Sequence, residues 1–291
     1  VEGSIKGSMD FSESLKYSMG ALKEKKLYPT YLLFMAVCIF YYLCVYAVPP
    51  LILLFTFLFA FVLWYFAGKF IHHALSQENL TKEKYTHELY LKYMSAILMQ
   101  IAHVLFFWRD KKLLLLYLVP IVGAFFLLGS LTASADMSGA SGALNAKATL
   151  EAALPSALFT LAGLLALMLA YVFHSYRLCF MPLMKLCTPQ KDLGLCSQAS
   201  WNATHKKFLK IFAYMLGFTI CIGIPIALIS GAFALVFQSQ PLLRALDGVL
   251  SVPFYSMHAF LLAYLYKNLA HGKPAGAKTS AMKKSKKKKR K

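Results

Sequence analysis

Apolar and polar positions in this chain are arranged in long blocks rather than in alternation. Residues 28–48, 49–68, 113–135, 152–173, 211–243 and 248–266 contain no Asp, Glu, Lys or Arg. A helix needs about 20 apolar residues to cross the hydrocarbon core of a bilayer. The strands of a membrane barrel would instead read as segments of about ten residues alternating in polarity. The pattern therefore predicts an all-α polytopic membrane protein with six transmembrane helices. Ionisable side chains at membrane depth usually mark ion or proton paths, so the charge-free runs speak against an ion-coupled transporter. One further stretch, 93–108 (YMSAILMQIAHVLFFW), is apolar but short and contains Gln100 and His103. It is read as an interfacial or partly buried helix, because a seventh span would reverse the sidedness of every later loop.

The polar segments between the runs carry the orientation signal. Lys and Arg collect on the cytoplasmic side of membrane proteins. With the N-terminus inside, the inside segments 1–27, 69–112, 174–210 and 267–291 hold 29 of the 31 basic residues, leaving only Lys147 and Arg244 outside. Both termini are expected in the cytoplasm. No cleavable signal peptide is expected, since the first apolar run starts at Tyr28 behind a polar stretch with acids.

Each predicted pair of spans follows a similar element. LKEKKLYP (22–29), WRDKKLLL (108–115) and THKKFLKI (204–211) each place two lysines directly before an apolar run. These are Lys25 and Lys26, Lys111 and Lys112, and Lys206 and Lys207. Lysines at such boundaries extend to the interface and anchor the helix. Upstream of the first pair, Phe11, Leu15, Met19 and Leu22 fall on one helical face. Upstream of the third, Asp192, Ser200, Trp201 and Ala203 align with Asp10, Ser18, Met19 and Ala21. The reading is a pseudo-threefold repeat of an amphipathic cytoplasmic helix, a Lys-Lys boundary and a helical hairpin, with Trp201 as a further interfacial anchor. The implied segments are an N-terminal cytoplasmic segment (1–27), hairpin 1 (28–73), an amphipathic region (74–112), hairpin 2 (113–181), a second such region (182–207), hairpin 3 (208–267) and a tail (268–291). Outer connections are expected at Pro49-Pro50, 134–151 and 238–248. Pro120, Pro225 and Pro253 are expected to interrupt spans, and Gly217, Gly223 and Gly231 to permit close helix contact.

The stretch Phe11–Lys26 and the run Ala199-Ser200-Trp201-Asn202-Ala203-Thr204 with Phe208 following resemble the six-span membrane domain associated with glycerophosphodiester phosphodiesterases. Related uncharacterised bacterial and archaeal multi-pass families share that plan. The likeness extends over roughly residues 10–270 and implies architecture: six spans with an amphipathic helix before each hairpin. No stretch of the chain is long enough to hold the soluble phosphodiesterase domain, and the family's membrane part implies no chemistry.

Charge sharpens the picture at one place. Of 291 residues, 59% are hydrophobic, yet the formal net charge is +19. Much of it lies in KKSKKKKRK, comprising Lys283, Lys284, Lys286, Lys287, Lys288, Lys289, Arg290 and Lys291. A polycation of this kind does not fold. It is attracted to anionic headgroups, about 1 kcal/mol per basic residue, and equally to RNA phosphate. Anionic lipid binding, ribosome or RNA binding, and a retrieval signal at Lys288–Lys291 are the three readings. Six cysteines at irregular spacings match no zinc pattern. His72, His73, His103, His174 and His258 are expected as interfacial or hydrogen-bonded histidines, although the last three could meet near a cytoplasmic opening. No catalytic constellation or cofactor motif stands out. The expected function is a non-enzymatic membrane-organising or biogenesis role, with no cofactor, and with anionic lipid or ribosomal RNA as partner of the tail. The alternative is a transporter or channel for a small or lipid-like solute.

Overall fold

A computed structural model describes residues 10–107, 110–136, 142–237 and 239–270. The basic run 283–291 lies outside the described residues. Among the described residues the structure is all helical, without a strand. In chain order the helices are α1 (Phe11–Leu22), α2 (Tyr28–Ala47), α3 (Ile52–Gln77), α4 (His87–Leu105), α5 (Leu118–Asp136), α6 (Gly142–Leu178), α7 (Met181–Cys187), α8 (Leu193–Thr204), α9 (Phe208–Phe218), α10 (Ile224–Val236) and α11 (Gln240–Ala270).

Six helical segments are long and apolar enough to cross a membrane: Lys25–Ala47, Pro49–Gln77, Lys111–Gly129, Ala153–Cys187, Phe208–Val236 and Gln240–Ala270. They coincide in order with the six uncharged runs, and the chain is a multi-pass membrane protein. Large apolar side chains cover their outer surfaces. Leu53 is 82% and Leu235 90% exposed, an arrangement that needs a hydrocarbon solvent. The stretch 93–108 falls mostly in α4, which is not among these six.

The two short helices with aligned sequences start alike. Asp10 caps α1 by accepting the Ser12 N–H at 3.0 Å, and Asp192 caps α8 by accepting the Gly194 N–H at 2.7 Å. Such caps satisfy backbone donors that have no partner within the helix. Four and eight residues beyond each cap come fully buried small side chains, Ser14 and Ser18 in α1, Cys196 and Ser200 in α8. The apolar face of Phe11, Leu15, Met19 and Leu22 is not the fully buried one: Met19 is exposed, and the fully buried positions of α1 are the two serines. Their hydroxyls donate to the Phe11 and Ser14 carbonyls at 2.7 and 2.9 Å. With the polar atoms satisfied, small side chains allow α1 to lie close against α11.

The chain divides into two compact units. In the larger, residues 1–96 and 180–291, α11 packs against α1, α2, α3, α8 and α10. Its core is aromatic: Phe34 stacks on Phe66 with ring centroids 4.7 Å apart, and Phe70 meets Phe260 at 5.8 Å. At Gly248, α11 touches the backbone of α2. A Cβ there would stand 2.7 Å from both N and Cα of Ile39. Gly231, read as a contact glycine, has open space instead. Asn79 ends α3 in a left-handed conformation (φ 55), with the Leu80 N–H bonded to the Leu75 carbonyl at 2.9 Å, a common helix stop.

The smaller unit, 97–179, is built on the α5–α6 hairpin. Gly123 of α5 faces Thr160, and Gly163 of α6 faces Val119 and Pro120. The opposite running of these pairs makes the hairpin antiparallel. Phe107 takes φ 41 and is fully buried against the rings of Tyr171, Tyr117 and His174. A left-handed backbone costs a non-glycine residue about 1–2 kcal/mol, and burial of the ring offsets it.

Two connections differ from the reading of the sequence. The stretch 134–151 is largely helical, since α5 runs to Asp136 and α6 begins at Gly142. Likewise 240–248 is helical, because α11 begins at Gln240 with Pro241 in its first turn, where a missing N–H costs nothing. Arg244 and Asp247 read as loop charges but sit one turn apart on this helix and pair at 3.4 Å. The prolines also differ from simple interruption. Pro120 lies in the first turn of α5 after a 3₁₀ stretch, and Pro225 follows a π-helical turn at Thr219–Gly223.

Gly248→Ala should lower the unfolding temperature measured in nanodiscs. Overpacking typically costs about 1–3 kcal/mol, more than the roughly 1 kcal/mol gained in helix propensity. Gly231→Ala, with no neighbour to displace, should leave that temperature unchanged or raise it.

Candidate functional site

The C-terminal ends of three helices of the larger unit come together among several lysines. α1 runs out at Leu22, α3 at Gln77 and α11 at Ala270. Helix C-termini present unpaired carbonyls and a partial negative charge, which cations satisfy. Lys207 does this for α11, donating from Nζ to the Leu269 carbonyl at 2.6 Å. Lys267, in the last turn of α11, pairs with Glu78 beyond α3 at 2.6 Å. The Tyr264 hydroxyl of α11 donates to Glu13 of α1 at 3.3 Å.

Glu24 holds the centre of this end. Its carboxylate accepts from Nε2 of His73 at 2.5 Å and from the side-chain amide of Gln77. The hydrogen bond from His73, followed by that from Gln77, holds the Glu24 carboxyl below the usual range. Glu24, Lys25, Lys26, His73, Ser76 and Gln77 line an open hollow of about 650 Å³. Lys25 and Lys26 occupy the 3₁₀ turn before α2, and both are exposed. The hollow thus offers two exposed ammonium groups and a histidine around one already engaged carboxylate. Its chemistry suits an anion bearing several acceptor oxygens.

The lysines read as anchors occupy different settings. Lys25 and Lys26 face the hollow, and Lys206 is exposed beside α8. Lys207 is half-buried and caps α11, a role the sequence did not suggest. Trp201 is half-buried on α8. Lys111 and Lys112 are exposed at the start of the 3₁₀ turn of the smaller unit. The eight basic residues Lys283, Lys284, Lys286, Lys287, Lys288, Lys289, Arg290 and Lys291 lie outside the described residues. Glu24 and Gln77 were missed. Forty-nine residues separate Glu24 from His73, and no spacing rule links them. The one available signal was an acid inside the basic run LKEKKLYP.

Histidines elsewhere have local partners. Nδ1 of His103 lies 2.8 Å from the Met99 carbonyl, and Nδ1 of His174 lies 3.0 Å from that of Ala170. His258 lies between the rings of Phe218 and Phe254. No group of three or more His, Cys, Asp or Glu able to hold a metal occurs among the described residues. No family model matches the sequence, and comparisons with curated proteins and with solved structures returned no match.

The pairing of Glu24 carries a pH signature. A carboxyl whose pKa is depressed by folding adds stability that is complete above its ordinary value and is lost as pH falls through the folded value. That ordinary value is 4.5. Wild type should therefore melt above Glu24→Gln at pH 6, and the gap should close as the pH is taken below 4.5. A pH titration of the unfolding temperature of both proteins reads this directly.

Proposed function

We propose that this chain is a non-enzymatic, membrane-organising protein whose lysine-rich end faces the cytoplasm and binds anionic lipid headgroups. The observation that carries this reading is the open hollow at the mouth of the first hairpin, where Lys25, Lys26, His73, Ser76 and Gln77 surround the engaged carboxylate of Glu24. A phosphate placed there would meet the ammonium groups of Lys25 and Lys26 and the Ser76 hydroxyl, while His73 and Gln77 keep the Glu24 carboxylate engaged. Basic side chains near an anionic surface contribute about 1 kcal/mol each, and the run 283–291 adds eight more to the same side.

The orientation follows from the concentration of 29 of the 31 basic residues in 1–27, 69–112, 174–210 and 267–291. Equal length, matching aspartate caps and matching buried positions in α1 and α8 support a repeated unit of short helix, lysine boundary and hairpin. The resemblance to the phosphodiesterase-associated membrane domain agrees with this plan. In it the short helices form a collar at the cytoplasmic face, and the hairpins hold that collar at headgroup level.

The test is lipid retention. Protein reconstituted in mixed neutral and anionic liposomes, then extracted with limiting detergent, should carry anionic lipid in excess of the bulk fraction. Lys25→Ala with Lys26→Ala should cut that excess by about fivefold per lysine, from about 1 kcal/mol each. Removing residues 275–291 should reduce it further. Tail-dependent co-sedimentation with ribosomes at physiological salt, without anionic lipid enrichment, would replace lipid with RNA as the partner.

A further inference from the structure

A second polar site lies near the opposite end of α11. From Asp247 to Leu269 the helix rises about 33 Å, at 1.5 Å per residue. That is close to the hydrocarbon thickness of a bilayer, about 30 Å. Lys207 marks the far end through its bond to Leu269. Asp247 therefore stands at the hydrocarbon boundary of the other leaflet, within the membrane-length helix Gln240–Ala270 and directly before the uncharged run 248–266.

The carboxyl group is held in place. Oδ1 accepts from the Ser230 hydroxyl of α10 at 2.5 Å, and Oδ2 accepts from Arg244 at 3.4 Å. The first bond is short and joins two helices. The second is long, lies along one helix, and involves a guanidinium 46% exposed, whereas the carboxyl is 23% exposed. One turn further on, the Ser251 hydroxyl donates to the Asp247 carbonyl at 2.7 Å and lies 3.1 Å from the Tyr42 hydroxyl of α2. Asp247, Ser230, Ser251, Tyr42, Phe254 and Tyr255 share a cavity of about 360 Å³. The π-helical turn reaches it through Gly223. Pro225, separated from that turn by Ile224 alone, brings no N–H to the ladder. Turns of this type recur at functional sites.

The chemistry of the walls selects the ligand. One carboxylate and the hydroxyls of Ser230, Ser251 and Tyr42 can accept hydrogen bonds, and three aromatic rings line the remainder. The cavity lies in the size range of small-molecule sites, about 300–1,000 Å³, and is far larger than a bare metal ion needs. An organic ammonium group satisfies every wall at once. It donates to carboxylate and hydroxyls, and it is attracted to ring faces within about 6 Å.

We propose that this cavity binds an organic ammonium ion, with Asp247 as its counter-charge and Tyr42, Phe254 and Tyr255 as its aromatic wall. Two sources share that chemistry: the amine headgroup of a phospholipid in the adjacent leaflet, and a free amine from the aqueous side. Binding displaces Arg244 from Oδ2 and leaves the Ser230 bond on Oδ1. The site is independent of the lysine-rich end.

The test uses the full chain in two arms. In nanodiscs of phosphatidylglycerol alone, equilibrium dialysis with radiolabelled ethanolamine reads the free-amine arm. In discs containing phosphatidylethanolamine, mass spectrometry of co-purified lipid reads the headgroup arm. Wild type should bind in at least one arm, and the arm identifies the source. Asp247→Asn should weaken binding about tenfold or more, as expected for loss of a charged partner. Arg244→Gln, which removes the competing cation, should strengthen it, a gain that misfolding does not produce. Absence of binding in both arms, equal binding by Asp247→Asn, or weaker binding by Arg244→Gln overturns the proposal.

Discussion

The larger unit depends on one close approach. At Gly248 the backbone of α11 reaches the backbone of α2, with no side chain between them. In lipid there is little hydrophobic gain from pairing apolar helices, so packing and polar contacts must hold them. A helix brought this near can be gripped on several sides at once. α11 is contacted by α1, α2, α3, α8 and α10, and its Phe260 closes the cluster of Phe34, Phe66 and Phe70. The two serines facing inward on α1 serve the same geometry, since larger side chains there would hold α1 away.

With α11 fixed, both of its ends acquire chemistry. Its C-terminus presents carbonyls that Lys207 satisfies, while Lys267 reaches Glu78. Its first turns carry Arg244 and Asp247 to the hydroxyl of Ser230. The interior between these ends is apolar and aromatic, as a bilayer requires. Along α11 charge is thus confined to Arg244 and Asp247 near one end and Lys267 near the other, about one hydrocarbon thickness apart. The lysine-rich level suits phosphate and the Asp247 level suits an ammonium group, which are the two charged parts of common phospholipid headgroups.

The spans themselves were legible in the sequence. Twenty uncharged residues in a row have few other uses, and each of the six runs became a membrane-length helix. Asp10 and Asp192 were visible as aligned positions ahead of two short helices, and the structure makes both of them caps, a local bond between neighbours in the chain. Helix faces were harder. Phe11, Leu15, Met19 and Leu22 mark an apolar stripe, but hydrophobicity does not distinguish a protein neighbour from lipid. Ser14 and Ser18 went inward because α11 demands close approach, not because they are apolar. The glycines showed the same limit: Gly231 looked like a contact residue and meets nothing, while Gly248 sat inside a supposed loop.

What the sequence alone determined was the class of the protein and the distribution of its charge. Those follow from the cost of placing charge or unpaired backbone in hydrocarbon, a cost set residue by residue. Tertiary structure alone decided which polar residues meet. Glu24 finds His73 and Gln77 only because α1 ends beside α3. Asp247 meets Ser230, and Ser251 meets Tyr42, only because α11 starts at Gln240 and lies against α10 and α2. Pairings of that kind depend on how helices far apart in sequence are brought together in space, and no local pattern in the chain encodes them.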